Sequence, residues 1–147
     1  MKPTLRNVLA GAAGAFASMP ANSMLLAPLA RLTGAPTLPT PPEGMSMMEV
    51  RDFYAPMIAE FETVHFIGPI LAHWNGAFIG SLVAALLMHG RKATLPLIIA
   101  GLSLIGGVMM VWMTSSQPLW SMALDIAGYL PMGWLGWKLA LRLRPAR

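Results

Sequence analysis

Two ionisable residues, His73 and Asp125, stand within stretches that are otherwise apolar. An imidazole and a carboxylate can share a proton, fix one another's orientation, relay protons or hold a cation. In a nonpolar medium each is costly alone, so the two are expected to pair and to face a bundle interior or a wet cavity. Tyr129 follows Asp125 by one helical turn and can share its face. Asn22 adds an amide from a third apolar stretch. His73, Asp125, Asn22 and Tyr129 are the candidate intramembrane polar site, and its bland alternative is a buried structural hydrogen bond.

The elements that must position these residues are visible as gaps in the charge. With 56% hydrophobic and 11% charged residues, the 147-residue chain departs from soluble domains, where about a quarter of residues are charged. No ionised side chain falls between Arg6 and Arg31, none but histidines between Glu62 and Arg91, and none between Lys92 and Asp125. Each gap exceeds the roughly 20 residues a helix needs to cross a bilayer core. A fourth stretch, residues 118–137, is broken only by Asp125. The expected fold is all-α: one integral membrane four-helix bundle over residues 1–147, with spans at about 8–29, 66–88, 93–114 and 118–137 and an outer loop at 30–65.

Lys2, Arg6, Arg91, Lys92, Lys138, Arg142, Arg144 and Arg147 lie on one side of these spans, and only Arg31 and Arg51 on the other. The positive-inside rule therefore places both termini in the cytoplasm and the long loop outside. Spans two and four then run in the same direction. His73 and Asp125 each come seven positions after the outer ends at Phe66 and Pro118, roughly 10 Å deep at about 1.5 Å per residue. Asn22 precedes its own outer end at Leu29 by the same interval.

Span one can also be read as a signal peptide, with Lys2 and Arg6 before an apolar run and Ala15-Phe16-Ala17 as a small-residue cleavage site. The apolar residues Met24, Leu25, Leu26 and Leu29 beyond that site favour a retained span, which Pro20 should kink. The loop opens on Pro36, Pro39, Pro41 and Pro42, a stiff extended spacer. Ser46 and Glu49 then have the form of a capping box, followed by Val50, Phe53, Tyr54, Met57, Ile58 and Phe61 at helical spacing. This predicts an amphipathic helix on the outer surface, with Glu49, Asp52 and Glu60 toward water and a bend or break at Pro56.

Small residues mark the packing faces. Ala10, Gly14, Ser18 and Asn22 form one ridge at a spacing of four, and Ala72, Gly76, Gly80 and Ala84 another. Gly14, Gly76 and Gly80 are thus assigned to close helix contact. Trp134 and Trp137 beside Lys138 fit an interfacial belt, and residues 115–117 a tight outer turn.

Several chemistries are disfavoured. The chain has no cysteine, and no phosphate loop, paired-carboxylate arrangement, zinc-binding HExxH helix, GxSxG serine elbow or dinucleotide motif lies where its mechanism requires it, so no enzyme is expected. His65 and His73 are eight residues apart on one helix, turned by about 80°, which does not suit bis-histidine haem. His65 is instead expected at the membrane interface, bonded to water or loop backbone. The 13 methionines, with Met45, Met47 and Met48 in the loop, invite copper(I). Gap-filling in the spans explains most of them better, and Met48 can serve the apolar face of the surface helix. No cofactor and no metal are therefore assigned, and the basic residues, gathered at span ends, do not suggest nucleic acid.

The segments His65-Phe66, Pro69, Leu71-Ala72-His73, Asp125 and Tyr129 to Gly136, with the Pro41-Pro42-Glu43-Gly44 turn, resemble a group of small bacterial integral membrane proteins of unknown function. The resemblance covers most of the chain and implies a multi-pass protein of the bacterial inner membrane, with His73 and Asp125 as the matching polar positions. It implies no activity. The expected role is non-enzymatic: an accessory, regulatory or assembly component working with the lipid bilayer and a membrane protein partner or further copies of itself. The alternative is a small oligomeric transporter or channel using the His/Asp layer.

Overall fold

The computed structural model describes residues 2–114 and 116–144. Ser115 of the expected outer turn and Arg147 of the basic tail lie outside them. Every regular element among the described residues is helical: α1 Pro3–Thr33, α2 Met47–Ala59, a 3-10 turn Thr63–Phe66, α3 Ile67–Leu87, α4 Thr94–Met113 and α5 Leu119–Leu143. Three helical segments are long and apolar enough to cross a membrane: α1, the 3-10 turn with α3, and α4. Helix α5 is long enough, but Asp125, Tyr129, Pro131, its glycines and its tryptophans lower its hydropathy, and it does not join that set.

Local chemistry sets the ends. Pro3 lies in the first turn of α1, where its missing N–H costs nothing. At the other end Gly34 adopts φ 70°, and the N–H groups of Gly34 and Ala35 return to the carbonyls of Arg31 and Ala30. A single helix runs through Pro20 and Pro28. Helix α2 begins with the expected capping box: the Glu49 N–H donates to Ser46 Oγ at 3.4 Å, and the Ser46 N–H to Glu49 Oε2 at 2.7 Å. It is not divided at Pro56. The carbonyl that the proline leaves without its helical donor belongs to Asp52, which is exposed, so water can meet it.

The face assignments of α2 follow the periodicity. Val50, Phe53, Tyr54 and Met57 are half-buried and Ile58 buried, while Glu49, Asp52 and Glu60 are exposed. Met48 departs from the expected apolar face; it is 56% exposed in the first turn, before the buried stripe begins. The Tyr54 hydroxyl donates to the Pro39 carbonyl at 3.0 Å, tying α2 to the proline-rich spacer.

Helices α1, α3, α4 and α5 pack together, with α3 touching the other three. Gly14 lies against Gly80 and Ala84, Gly76 against Ser18, and Gly68 against Leu29, so α1 and α3 are antiparallel and their two small-residue ridges meet. A Cβ on Gly14 would stand 2.5 Å from the Gly80 carbonyl oxygen, a backbone atom that cannot swing aside. Trp74 covers Gly128, and Gly136 lies against the Phe78 carbonyl, so α5 runs parallel to α3. Gly107 against Tyr129 and Gly133 against Ala100 make α4 antiparallel to α5. Large apolar side chains point outward: Phe16 is 76% exposed, and Val8, Met24, Leu102 and Ile105 are exposed with it.

Candidate functional site

Because α3 and α5 run side by side in the same direction, positions equally far along them meet. His73 Nδ1 lies 3.0 Å from Asp125 Oδ2 and 3.1 Å from Oδ1, so a proton on Nδ1 is shared between both carboxylate oxygens. The side chains are 16% and 7% exposed. Trp74, next to His73, donates its indole N–H to the Asp125 backbone carbonyl at 3.1 Å. Its ring needs the missing side chain at Gly128. One turn of α3 thus grips α5 through a side chain and through the backbone.

Tyr129 lies one turn beyond Asp125 on the same face, buried, and its ring stacks on His73 with centroids 6.2 Å apart and planes at 24°. Its hydroxyl presses on Gly107 of α4, where a Cβ would leave it no room. Asn22 stands on α1 across from these residues. Its Oδ1 is buried without a hydrogen-bond partner among the described residues, and the Cβ of Asn22 lies close against Gly76. His73, Asp125 and Tyr129 are therefore in mutual contact, whereas Asn22 reaches the same region without bonding to them.

Two cavities adjoin this cluster. The first, about 340 Å³, lies at the end of the bundle nearest α2, walled by Leu26, Ile58, Phe61, Phe66, Ile70 and Met110 and floored by His73 and Asp125. His65, Thr114 and Gln117 are its other polar groups. The second, about 370 Å³, lies between α1, α3 and α4 and is lined by Asn22, Ser18, Ser103, His73 and Tyr129. His73 borders both. Toward the opposite end the helices close on one another: Ser81, Ala84, Ala100 and Ala140 are fully buried, and Ser81 Oγ donates to the Pro96 carbonyl at 2.9 Å.

That closed end is tied by arginines. The Arg144 guanidinium donates to the carbonyls of Gly90, Ala85 and Met88 at 2.6, 2.9 and 3.2 Å. Arg6 donates to Leu87 O at 2.7 Å, and Arg91 to Leu141 O at 2.7 Å. Carbonyls left over at the C-terminal end of α3 are what cations satisfy best. Trp137 donates to Arg91 O at 3.0 Å, and Lys138 Nζ stands 5.1 Å from the ring centres of both Trp134 and Trp137.

Sequence reasoning did not single out Trp74, Asn75 or Ser81. Asn75 donates to the Ala21 carbonyl at 2.7 Å and Ser81 crosses to α4, each a polar group in an apolar run, the same signal that marks His73. His65 Nδ1 accepts the Glu62 N–H at 3.1 Å, so this histidine caps the 3-10 turn from beside the loop-end cavity. Among the described residues no group of three or more His, Asp or Glu side chains gathers as a metal-ligand set. No protein-family model, curated protein or solved structure matches this chain.

Proposed function

We propose that this chain is a multi-pass protein of the cell inner membrane, with α1, α3, α4 and α5 as four spans, both termini cytoplasmic and α2 on the outer surface, and that it acts without enzymatic chemistry as an accessory or regulatory component. The asymmetry of the bundle is the observation that carries this reading. The two cavities that touch His73 lie in the half toward α2, while in the other half the helices meet directly at Ser81, Ala84, Ala100 and Gly133 and are tied by arginines; the space of about 450 Å³ there, lined by Phe78, Trp134, Lys138 and Arg142, has neither His73 nor Asp125 in its walls. A half closed in this way suits a protein that receives something from one side better than one that passes it through.

The outward apolar side chains of α1 and α4 suit lipid, and they also suit a neighbouring membrane protein or a second copy. The basic residues at the arginine end support a cytoplasmic placement. Crosslinking in intact membranes should capture a specific membrane partner. Purified protein in proteoliposomes should move protons, cations and small metabolites no faster than empty vesicles.

A transporter is the second reading, and one observation favours it: His73 lines both cavities, and Asn22, whose buried amide oxygen has no partner among the described residues, lines the further one. Solute flux by the purified chain alone, abolished by Asp125→Asn without loss of stability, would replace the accessory reading with this one.

A further inference from the structure

We infer that the loop-end cavity binds a neutral lipid-soluble molecule through a hydroxyl or carbonyl oxygen held by Nε2 of His73. The inference rests on the reading of the bundle as membrane-spanning and gives that accessory component a ligand.

Three features of the cavity select this chemistry. Its volume of about 340 Å³ lies within the roughly 300–1,000 Å³ of small-molecule sites, which are mostly apolar with a few placed polar groups. Its walls are the side chains of Leu26, Phe61, Ile70 and Met110, so most of a ligand's contact is hydrocarbon. Its mouth is apolar as well: Leu26 is 39% exposed on α1 and Met110 48% exposed on α4, so a molecule dissolved in the bilayer enters without crossing water.

The polar floor sets the head group. Nδ1 of His73 is committed to both oxygens of Asp125, and no described residue bonds Nε2. With a neutral imidazole whose proton lies on Nδ1, Nε2 accepts from a hydroxyl. With a protonated imidazole, Nε2 donates to a carbonyl. One site thus takes either oxygen group, and Gln117 and Thr114 at the rim add polar atoms that can act both ways. An anionic head group finds no lysine or arginine in the lining, only His65, engaged with the Glu62 backbone, and His73, whose charge when protonated is already balanced by Asp125; a cationic one finds Asp125 already occupied. Neutral head groups are what remain, and a lipid alcohol and a quinone or quinol share the required oxygen.

The test uses the full chain in phosphatidylcholine nanodiscs, with a photoactivatable long-chain alcohol as probe and labelled peptides mapped by mass spectrometry. Labelling should saturate and concentrate on residues 26–38, 58–70 and 110–114. Unlabelled dodecanol and a decyl-quinone should compete, the stronger of the two identifying the source, while dodecanoate and dodecyltrimethylammonium should not. His73→Phe should weaken saturable labelling by about ten-fold or more, the loss expected for one hydrogen bond to an ionisable group. Ala30→Trp blocks the mouth, leaves His73 and Asp125 in place, and should abolish it. Unsaturable labelling spread over Phe16, Leu102 and Ile105, or equal competition by the charged amphiphiles, would overturn the inference. Release of the chain from native membranes by alkaline extraction would instead defeat the membrane reading beneath it.

Discussion

At the scale of the residue, the contact between His73 and Asp125 follows from helix geometry alone. Two helices running the same way, with polar groups equally far from comparable ends, bring those groups to one level, and burial then makes pairing the lower free-energy arrangement. The partner to the Asp125 backbone, Trp74, was not legible, because an indole in an apolar run reads equally well as lipid-facing. Neither was the fate of Asn22, whose depth matches the layer but whose buried amide oxygen has no partner among the described residues. If the pair is structural, Asp125→Asn keeps a hydrogen-bond acceptor for Nδ1 and should lower the apparent melting temperature only slightly. Asp125→Leu strands the imidazole and should cost about 1–3 kcal/mol. Equal melting temperatures for the two variants in lipid would contradict this account.

At the scale of the element, the small-residue ridges were legible as packing surfaces, and Gly14, Gly76 and Gly80 sit where backbone meets backbone. Which ridge meets which was not, since a spacing of four marks a face without naming its partner. Substitutions at glycines should therefore divide by what a methyl group would touch. Gly14→Ala would meet the Gly80 carbonyl and the Ala84 Cβ, and Gly128→Ala the Trp74 ring, so each should destabilise by about 1–3 kcal/mol. Gly101→Ala and Gly106→Ala meet nothing within 4 Å and should be neutral, or stabilising by up to about 1 kcal/mol through helix propensity. Thermal unfolding in lipid discs checks all four; similar losses at Gly14 and Gly101 would count against the packing described.

Helix α2 was readable down to its cap because a capping box is local, with donor and acceptor three residues apart. The backbone N–H of Ser46, and then its hydroxyl, hold the Glu49 carboxyl below its ordinary value. A carboxyl depressed in the folded state stabilises fully above its ordinary value and loses that contribution as pH falls through the folded one. Amide exchange protection in the first turn of α2 should decline in that acid range, and Glu49→Gln, which keeps an acceptor for the Ser46 N–H but cannot titrate, should remove the dependence. Protection independent of pH in the unsubstituted chain would argue against the cap.

At the scale of the whole molecule, charge gaps and terminal charges carried the four-span reading, and the structure adds the reason α5 looks unlike the others. It holds the acid, the tyrosine, the proline and the glycines that receive Trp74, Phe78 and Ala100, so its interior face contributes contacts instead of hydropathy. The cavities were not legible at all, because each is bounded by several segments at once: α1, α3, α4 and α5 line both, and the 30–65 connection lines the loop-end one as well. Whether α5 crosses the membrane decides whether Asp125 lies within it, and this is the claim on which the rest stands. The chain has no cysteine, so single cysteines report without background. Intact spheroplasts carrying Ser116→Cys or Arg142→Cys, treated with a membrane-impermeant maleimide, test it directly. The cysteine at 116 should label in intact cells and that at 142 only after permeabilisation, whereas labelling of both positions from the same side would contradict the account.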